Sequence, residues 1–585
     1  MLIEPKKIEY TNGTCLVQSL RFIFSSDTDP RILRRAKELF GTVSVSGGET
    51  SVSVSYANHH CDDCSFHPYQ GYTIVVSPES ISIKGDSVQG AFYGLETLYE
   101  LISDSSEVPC MVLVDTPDLL HRGFYLDVSR GRIPSVETIK KLIDRLATCR
   151  INSLQLYIEH TFAFQELGEL NARYGGYTTE DIREIIRYCK EHFIDCIPSL
   201  STFGHMYYIL QSPPFRHLCE LEHYEPKEHI WRERMMHHTI DYANPESFSL
   251  IQSLIDQYAA LFDSSYFNIC CDETFDLVKG KNRGKDPTQA YVSFVKKIIA
   301  YLKEKGLTPM MWGDILWKSP QSVHELPPQT ILLNWNYDRD ITDESIRYYY
   351  EHNANQIVCP GVSSWGRLCE CPANAVDNIL QSVNFGYQYN AKGILNTCCG
   401  DFGHTAPIDN CLFGMALGGA KSWNVTGFDL KRFSVAVSKQ LYGYEGDILE
   451  ILQKIEPLFS VWRGTFEWLQ KKKGLPFADI PLTAEHFAQA QKDIYEGYAI
   501  LREVQMDPEI QKNLLLAAEL NLLLSEMVSD YLCHRSIESE VMTELSKVYT
   551  QYRHIWLCAN KRDELFVLDS YIEELKQNLC PAQVQ

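Results

Sequence analysis

The sequence predicts an α/β fold: a (β/α)8 barrel over residues 117–428, a small α/β domain before it at 1–116, and a helical domain after it at 429–585. Three observations lead there. Eight short apolar runs recur between about 118 and 428 and alternate with helical stretches. Before them, short segments alternate polar and apolar with period two. Beyond about 429 strand signals stop and amphipathic helices take over. Near-continuous apolar runs of strand length mean parallel strands buried on both faces, and eight β–α units in a row favour closure over an open doubly wound sheet.

In the first region, "SVSVSYA" and "YTIVVSPESISIKG" read as strands, and "PRILRRAKELF" and "VQGAFYGLETLYELIS" as helices. "VDTPDLLHRG" is a proline-bearing junction. The barrel strands are "GFYLDV", "NSLQLYI", "DCIPSL", "YFNICC", "TPMMW", "TILLNW", "QIVCPG" and "GILNT". "SVETIKKLIDRLATC", "TEDIREIIRYCKEH", "PESFSLIQSLIDQYAALF" and "TQAYVSFVKKIIAYLKEK" are among the intervening helices. The last region carries segments such as "PEIQKNLLLAAELNLLLSEMVSDYL"; these either mediate dimerisation or cover the side of the barrel, and the sequence leaves both open.

The 585 residues exceed what one core usually serves. A net charge of −22 argues against nucleic-acid and anionic-membrane partners, which reward a basic face. No stretch of about 18 consecutive apolar residues is present. The start, "MLIEPKKIEYTNGTC", lacks the apolar core and cleavage site of a signal peptide. A cytoplasmic location is therefore expected, with the 19 cysteines mostly reduced. The cluster His59, His60, Cys61, Cys64 and His67 holds one CxxC. A structural zinc wants four converging ligands, so a polar loop is the favoured reading and no metal or cofactor is assigned.

Chemistry in such barrels sits at the C-terminal strand ends. Reading each run outward gives Arg122 and Asp127 for the first, Glu159 and His160, His205, the pair Asp272-Glu273, Trp312 and Asp314, Trp335 and Tyr337, Trp365, and lastly Asp401 and His404. Aromatic walls stack on sugar rings, while carboxylates and arginine pair with ring hydroxyls. A carbohydrate ligand follows. No Walker loop, dinucleotide fingerprint or HExxH is present.

"HRGFYLDVSRGRIP", "GHM" after the third strand and the Asp-Glu pair ending the fourth resemble glycoside hydrolase family 20, the β-N-acetylhexosaminidases. "IKGDSVQGAFYGLETL" resembles the end of the small domain that precedes the barrel in that family. The resemblance covers about residues 50–425 and leaves out the C-terminal helices. It implies an exo-acting enzyme that removes terminal β-linked GlcNAc or GalNAc from an oligosaccharide or glycoconjugate. The implied mechanism is retaining and substrate-assisted: the substrate's own acetamido oxygen attacks the anomeric carbon.

By resemblance, Glu273 is the acid/base and Asp272 orients the acetamide. Arg122 binds the 3- and 4-hydroxyls and Asp401 reads the 4- and 6-hydroxyls. His205 and Glu159 position the acid. Trp312 and Trp335 box the acetamide methyl, Tyr337 is a candidate partner for the acetamide oxygen, and Trp365 is a further candidate wall. Asp127 is read as structural support. Two departures stand out. Cys270-Cys271 replace the glycines that usually precede the acid pair, and Cys399 stands where a platform tryptophan is usual. The second departure predicts altered specificity or weaker affinity, with Trp365 or Phe402 as substitutes for the platform. Two alternatives stay open: a related glycosidase releasing a disaccharide or modified hexosamine, and a non-catalytic sugar-binding protein on the same fold.

Overall fold

The structure is a computed structural model. It describes residues 1–41, 50–59, 65–103, 105–475, 482–562 and 564–579. The cluster residues His60, Cys61 and Cys64 lie outside them. His67 is already engaged: its Nδ1 accepts the Tyr69 N–H (3.1 Å) and its Nε2 meets Gln89 Oε1.

Six strands, β1 (Lys7–Leu16), β2 (Leu20–Ile23), β3 (Thr50–Tyr56), β4 (Tyr72–Ser77), β5 (Ser80–Gly85) and β6 (Glu107–Asp115), form one mixed sheet in the order β1-β6-β4-β5-β3-β2. The helices Pro30–Phe40 and Val88–Ile102 belong to this unit. Ser87 caps the second, accepting the Gly90 N–H (3.3 Å).

Eight parallel strands then close into a barrel: β7 (His121–Asp127), β8 (Ser153–Ile158), β9 (Asp195–Leu200), β10 (Tyr266–Asn268), β11 (Thr308–Trp312), β12 (Ile331–Trp335), β13 (Asn355–Cys359) and β14 (Gly393–Cys398), with β14 returning to β7. Inward-facing residues build a core of their own, including Tyr125, Tyr157, Ile197, Met310, Leu333 and Leu395. Outward-facing ones join the larger core under the helices. The sequence starts these helices explicitly. Thr178 and Asp181 form a reciprocal cap, and Asn244 and Asp286 cap helices that open on proline.

From Leu430 to Leu579 the described residues form seven helices. They lie against the barrel. Arg367 Nη1 donates to Glu456 Oε1 (2.7 Å), the Ser135 N–H to Ala559 O (2.9 Å), and the Tyr552 hydroxyl to Thr405 O. Covering the barrel is thus a role these helices have.

Arg122 departs from expectation. It opens β7, as the sequence indicates, but its side chain lies at the end of the barrel away from the catalytic loops and not with the sugar-binding residues. It is fully buried. Its guanidinium donates to the backbone oxygens of Leu119, Leu120 and Arg150, and to Gln70 Oε1 and the Tyr93 hydroxyl of the small domain. It pins the small domain to the barrel floor and meets no part of the sugar site.

Candidate active site

One cavity at the C-terminal strand ends is lined by Tyr125, Arg130, Tyr157, Asp272, Glu273, Trp312, Trp335, Tyr337, Cys399 and Asp401. Six of the sequence-expected residues meet here: Asp272, Glu273, Trp312, Trp335, Tyr337 and Asp401.

The acid pair sits on an unusual piece of backbone. β10 ends at Asn268, and Cys270, Cys271 and Glu273 all have left-handed φ (56°, 64° and 44°). This region costs an L-residue roughly 1–2 kcal/mol, which is why glycine is favoured there. The two thiols offset part of that cost by hydrogen bonding. Cys270 Sγ lies 3.4 Å from Ser199 Oγ, and Cys271 Sγ donates to Ile269 O (3.3 Å). The coil brings both Asp272 and Glu273 to the cavity, with carboxylate oxygens within 4.8 Å of one another and of the His205 ring nitrogen. The loop after β9 packs tightly on this coil; a Cβ on Gly204 would lie 2.4 Å from Asp272 O.

His205 bridges the two acids. Its Nε2 is 3.5 Å from Asp272 Oδ2 and 3.3 Å from Glu273 Oε2, and its Nδ1 donates to Arg234 O at 3.5 Å. Burial alone would depress this imidazole, but the charges of Asp272 and Glu273 outweigh it and hold His205 well above its ordinary value. Asp272 Oδ1 is buried with no protein partner among the described residues. It is an acceptor available to a substrate N–H.

Behind His205 runs a charge network. Arg234 donates to Glu159 Oε2 (3.0 Å) and Glu564 Oε2 (3.0 Å), and the Tyr157 hydroxyl donates to Glu159 Oε1 (3.1 Å). Glu159, like His205, is a positioning residue; it holds Arg234 and does not line the cavity.

Arg130 is the arginine that sequence reasoning missed. Its Nε donates to Asp127 Oδ2 (2.7 Å) and its Nη1 pairs with Asp401 Oδ1 (2.7 Å). Asp127 also accepts the N–H groups of Ser129, Arg130 and Gly400, so it ties the loop after β7 to the loop after β14. The available signal was positional: Arg130 follows the strand end, whereas Arg122 lies at the strand's start. Burial raises the Asp401 carboxyl, and Arg130 opposes that rise.

Aromatic side chains wall the other side. Trp312 meets Tyr125 edge-on (5.1 Å), and Trp335 stacks on Tyr337 (5.0 Å, 23°). Trp365 backs Tyr337 at 4.8 Å and does not line the cavity. The space beside Cys399 is taken by Tyr337, whose hydroxyl lies 3.6 Å from Cys399 Sγ. Phe402 is drawn away under the Arg463 guanidinium, 4.4 Å from its ring. Replacing Cys399 by tryptophan therefore overpacks the site against Tyr337. Cys399→Trp is expected to cost about 1–3 kcal/mol of stability and to weaken substrate binding, measured as a lower Tm and a higher KM; unchanged values would refute this packing.

Asp314, read at the fifth strand end but given no role, lies against the acid pair. Its Oδ2 accepts the Glu273 N–H (3.3 Å) while its Oδ1 is buried without a partner. Burial pushes its carboxyl up to about 7, with the charges of Asp272 and Glu273 adding to the rise. Against an unfolded value of 3.8 the sign is clear. Between those limits the folded chain keeps a proton that the unfolded chain has lost, so this group's contribution falls as pH rises and levels off above about 7. Asp314→Asn should gain stability relative to the parent between pH 4 and 8 in urea denaturation at stepped pH. An equal offset at every pH would contradict the assignment.

Carboxylates held by a shared histidine, an arginine-tethered acid and aromatic walls at the top of a (β/α)8 barrel define a carbohydrate-processing enzyme of the glycoside hydrolase class. The model "Glycosyl hydrolase family 20, catalytic domain" matches residues 120–365, and "Glycosyl hydrolase family 20, domain 2" matches residues 4–116. The chain belongs to glycoside hydrolase family 20. It is 29% identical over 332 residues to a β-hexosaminidase of Porphyromonas gingivalis, covering 48% of this chain and 41% of that protein. The chain thus spans less than half the length of that relative. Its fold is similar to Flavobacterium johnsoniae chitobiase (TM-score 0.64, 17% identity, 98% of each chain). It is also similar to the Vibrio harveyi exo-β-N-acetylglucosaminidase in complex with N-acetylglucosamine (TM-score 0.58, 18% identity, 77% of each chain). The first of these likenesses extends over the C-terminal helices, which the sequence resemblance left out.

Proposed function

We propose that this chain is an exo-acting β-N-acetylhexosaminidase that hydrolyses terminal β-linked GlcNAc or GalNAc with the substrate's acetamide as nucleophile. The observation that carries this reading is the distribution of carboxylates. Asp272 and Glu273 are bridged by His205, Asp401 is tied to Arg130, and Asp314 is held by the Glu273 backbone. That leaves no second acid across the cavity, among the described residues, placed to attack the sugar as in ordinary retaining glycosidases.

In the proposed cycle, Asp272 Oδ1 accepts the acetamido N–H, and Trp312 and Trp335 enclose its methyl group. The acetamido oxygen attacks the anomeric carbon as Glu273 gives its proton to the leaving oxygen. Glu273 then takes a proton from water as the oxazolinium ring opens. The His205 imidazolium steadies both carboxylates. Arg130 and Asp401 grip the ring hydroxyls. A disaccharide-releasing site would need room beside Cys399, and Tyr337 fills it, which favours a single sugar. With the cytoplasmic placement expected from the sequence, small imported oligosaccharides are the substrates.

Aryl β-glycosides of GlcNAc, GalNAc and glucose, with and without a thiazoline mimic of the oxazoline, test the reading. Hydrolysis confined to the 2-acetamido sugars and blocked by the thiazoline is expected. Comparable cleavage of the glucoside would sink it.

A further inference from the structure

A second cluster of chemistry-bearing side chains lies outside the sugar site. His237 and His238 follow the helix Ile230–Met236 in the long loop after β9, and Asp276 lies three residues beyond Glu273 in the loop after β10. Their donor atoms all fall within 4.8 Å of one another. His237 Nδ1 is 3.0 and 3.1 Å from the two Asp276 oxygens, and His238 Nδ1 is 3.8 Å from Asp276 Oδ2. Ligands around a tetrahedral zinc, at about 2.0–2.2 Å from the metal, sit roughly 3.3 Å apart. The cluster needs little adjustment to close on such an ion.

An independent observation points the same way. His238 is 1% exposed and its Nδ1 has no hydrogen-bond partner among the described residues. Burying an unsatisfied ring nitrogen is costly, and a metal ion would satisfy it. The other ring nitrogen, Nε2, is already held 2.7 Å from the Gln211 amide. As placed, the amide nitrogen of Gln211 donates to Nε2; a half-turn of that amide presents its oxygen instead, after which Nε2 carries the proton and Nδ1 offers its lone pair to a metal, the usual outer support of a ligating histidine. His237 is partly exposed, with 28% of its side chain open, which leaves a face for a water as fourth ligand.

We propose that His237, His238 and Asp276 bind a divalent transition-metal ion, zinc by the chemistry of two imidazoles and one carboxylate, and that the ion clamps the loop after β9 to the loop that carries Glu273. The inference is independent of the glycosidase reading. No catalytic step runs through the ion; it positions two loops that already touch at Gly204.

The test uses the full chain, stripped with a chelator, loaded with ZnCl2, dialysed and assayed for metal. One equivalent of zinc should remain, with Tm raised by ~2 °C or more. His237→Gln and Asp276→Asn should each lose the zinc and the rise in Tm while keeping the Tm of the stripped parent within about 2 °C. Two variants in different loops guard against a folding defect in one. Cobalt in place of zinc should give visible bands without thiolate charge transfer, which separates this site from Cys61 and Cys64. The proposal is overturned if no zinc is retained, if both variants keep as much as the parent, or if the cobalt spectrum carries a thiolate band.

Discussion

Glu273→Gln is expected to lower kcat/KM by on the order of 10²–10⁴ on substrates whose leaving group needs a proton. The loss should shrink strongly for an aryl glycoside with an acidic phenol, which departs unaided. The reason is geometric. The left-handed turn through Cys270, Cys271 and Glu273 carries both acids to the cavity, so the glutamate can reach the leaving oxygen while the aspartate, with its buried free Oδ1, serves the acetamide. Glutamine fits the same space and accepts the same contact from His205, so Tm should stay close to that of the parent. Comparing the two substrate types in one preparation isolates proton transfer from binding. Equal losses on both would remove Glu273 from the acid role.

The second large effect is on stability. Arg122→Met is expected to destabilise the protein by on the order of 3–5 kcal/mol. The guanidinium satisfies three backbone oxygens, one amide oxygen and one hydroxyl, and among the described residues no carboxylate pairs with it. Burial depresses it to about 10, with the Tyr93 hydroxyl opposing that shift. Methionine fills the volume and leaves those acceptors without donors. The loss should appear as a lower Tm or faster thermal inactivation, with KM for surviving enzyme unchanged. A raised KM at unchanged Tm would return Arg122 to the sugar.

Arg122 also marks the limit of what the sequence discloses. Continuous apolar runs such as "NSLQLYI" reveal buried parallel strands because both faces of β8 are covered, and all six of its residues are buried. The edge strand β1 gave no such signal; most of its residues are exposed, so no alternation is written into it. Strand ends were legible as a class. Which of two arginines, Arg122 at the start of β7 or Arg130 three residues past its end, faced the cavity was not, because the pattern marks a strand without marking which end a long side chain serves. "YFNICC" read as one strand, yet the ladder stops at Asn268 and the cysteines belong to the turn. The occupant of the space near Cys399 was hidden for a different reason. Tyr337 comes from the end of β12, with β13 between it and β14, and only packing brings the two together.

The link from Glu159 through Arg234 to Glu564 has a consequence for how the protein is made. Glu564 directly precedes the helix Leu565–Leu579, so it leaves the ribosome long after the acid pair does. Until it arrives, Arg234 lacks one of its two carboxylates, and the network behind His205 is short of a charge. The charge behind His205 is complete only once Glu564 has docked beside Arg234. A chain cut before Glu564 should be feebly active or inactive, since Arg234 then keeps only one of its two carboxylates.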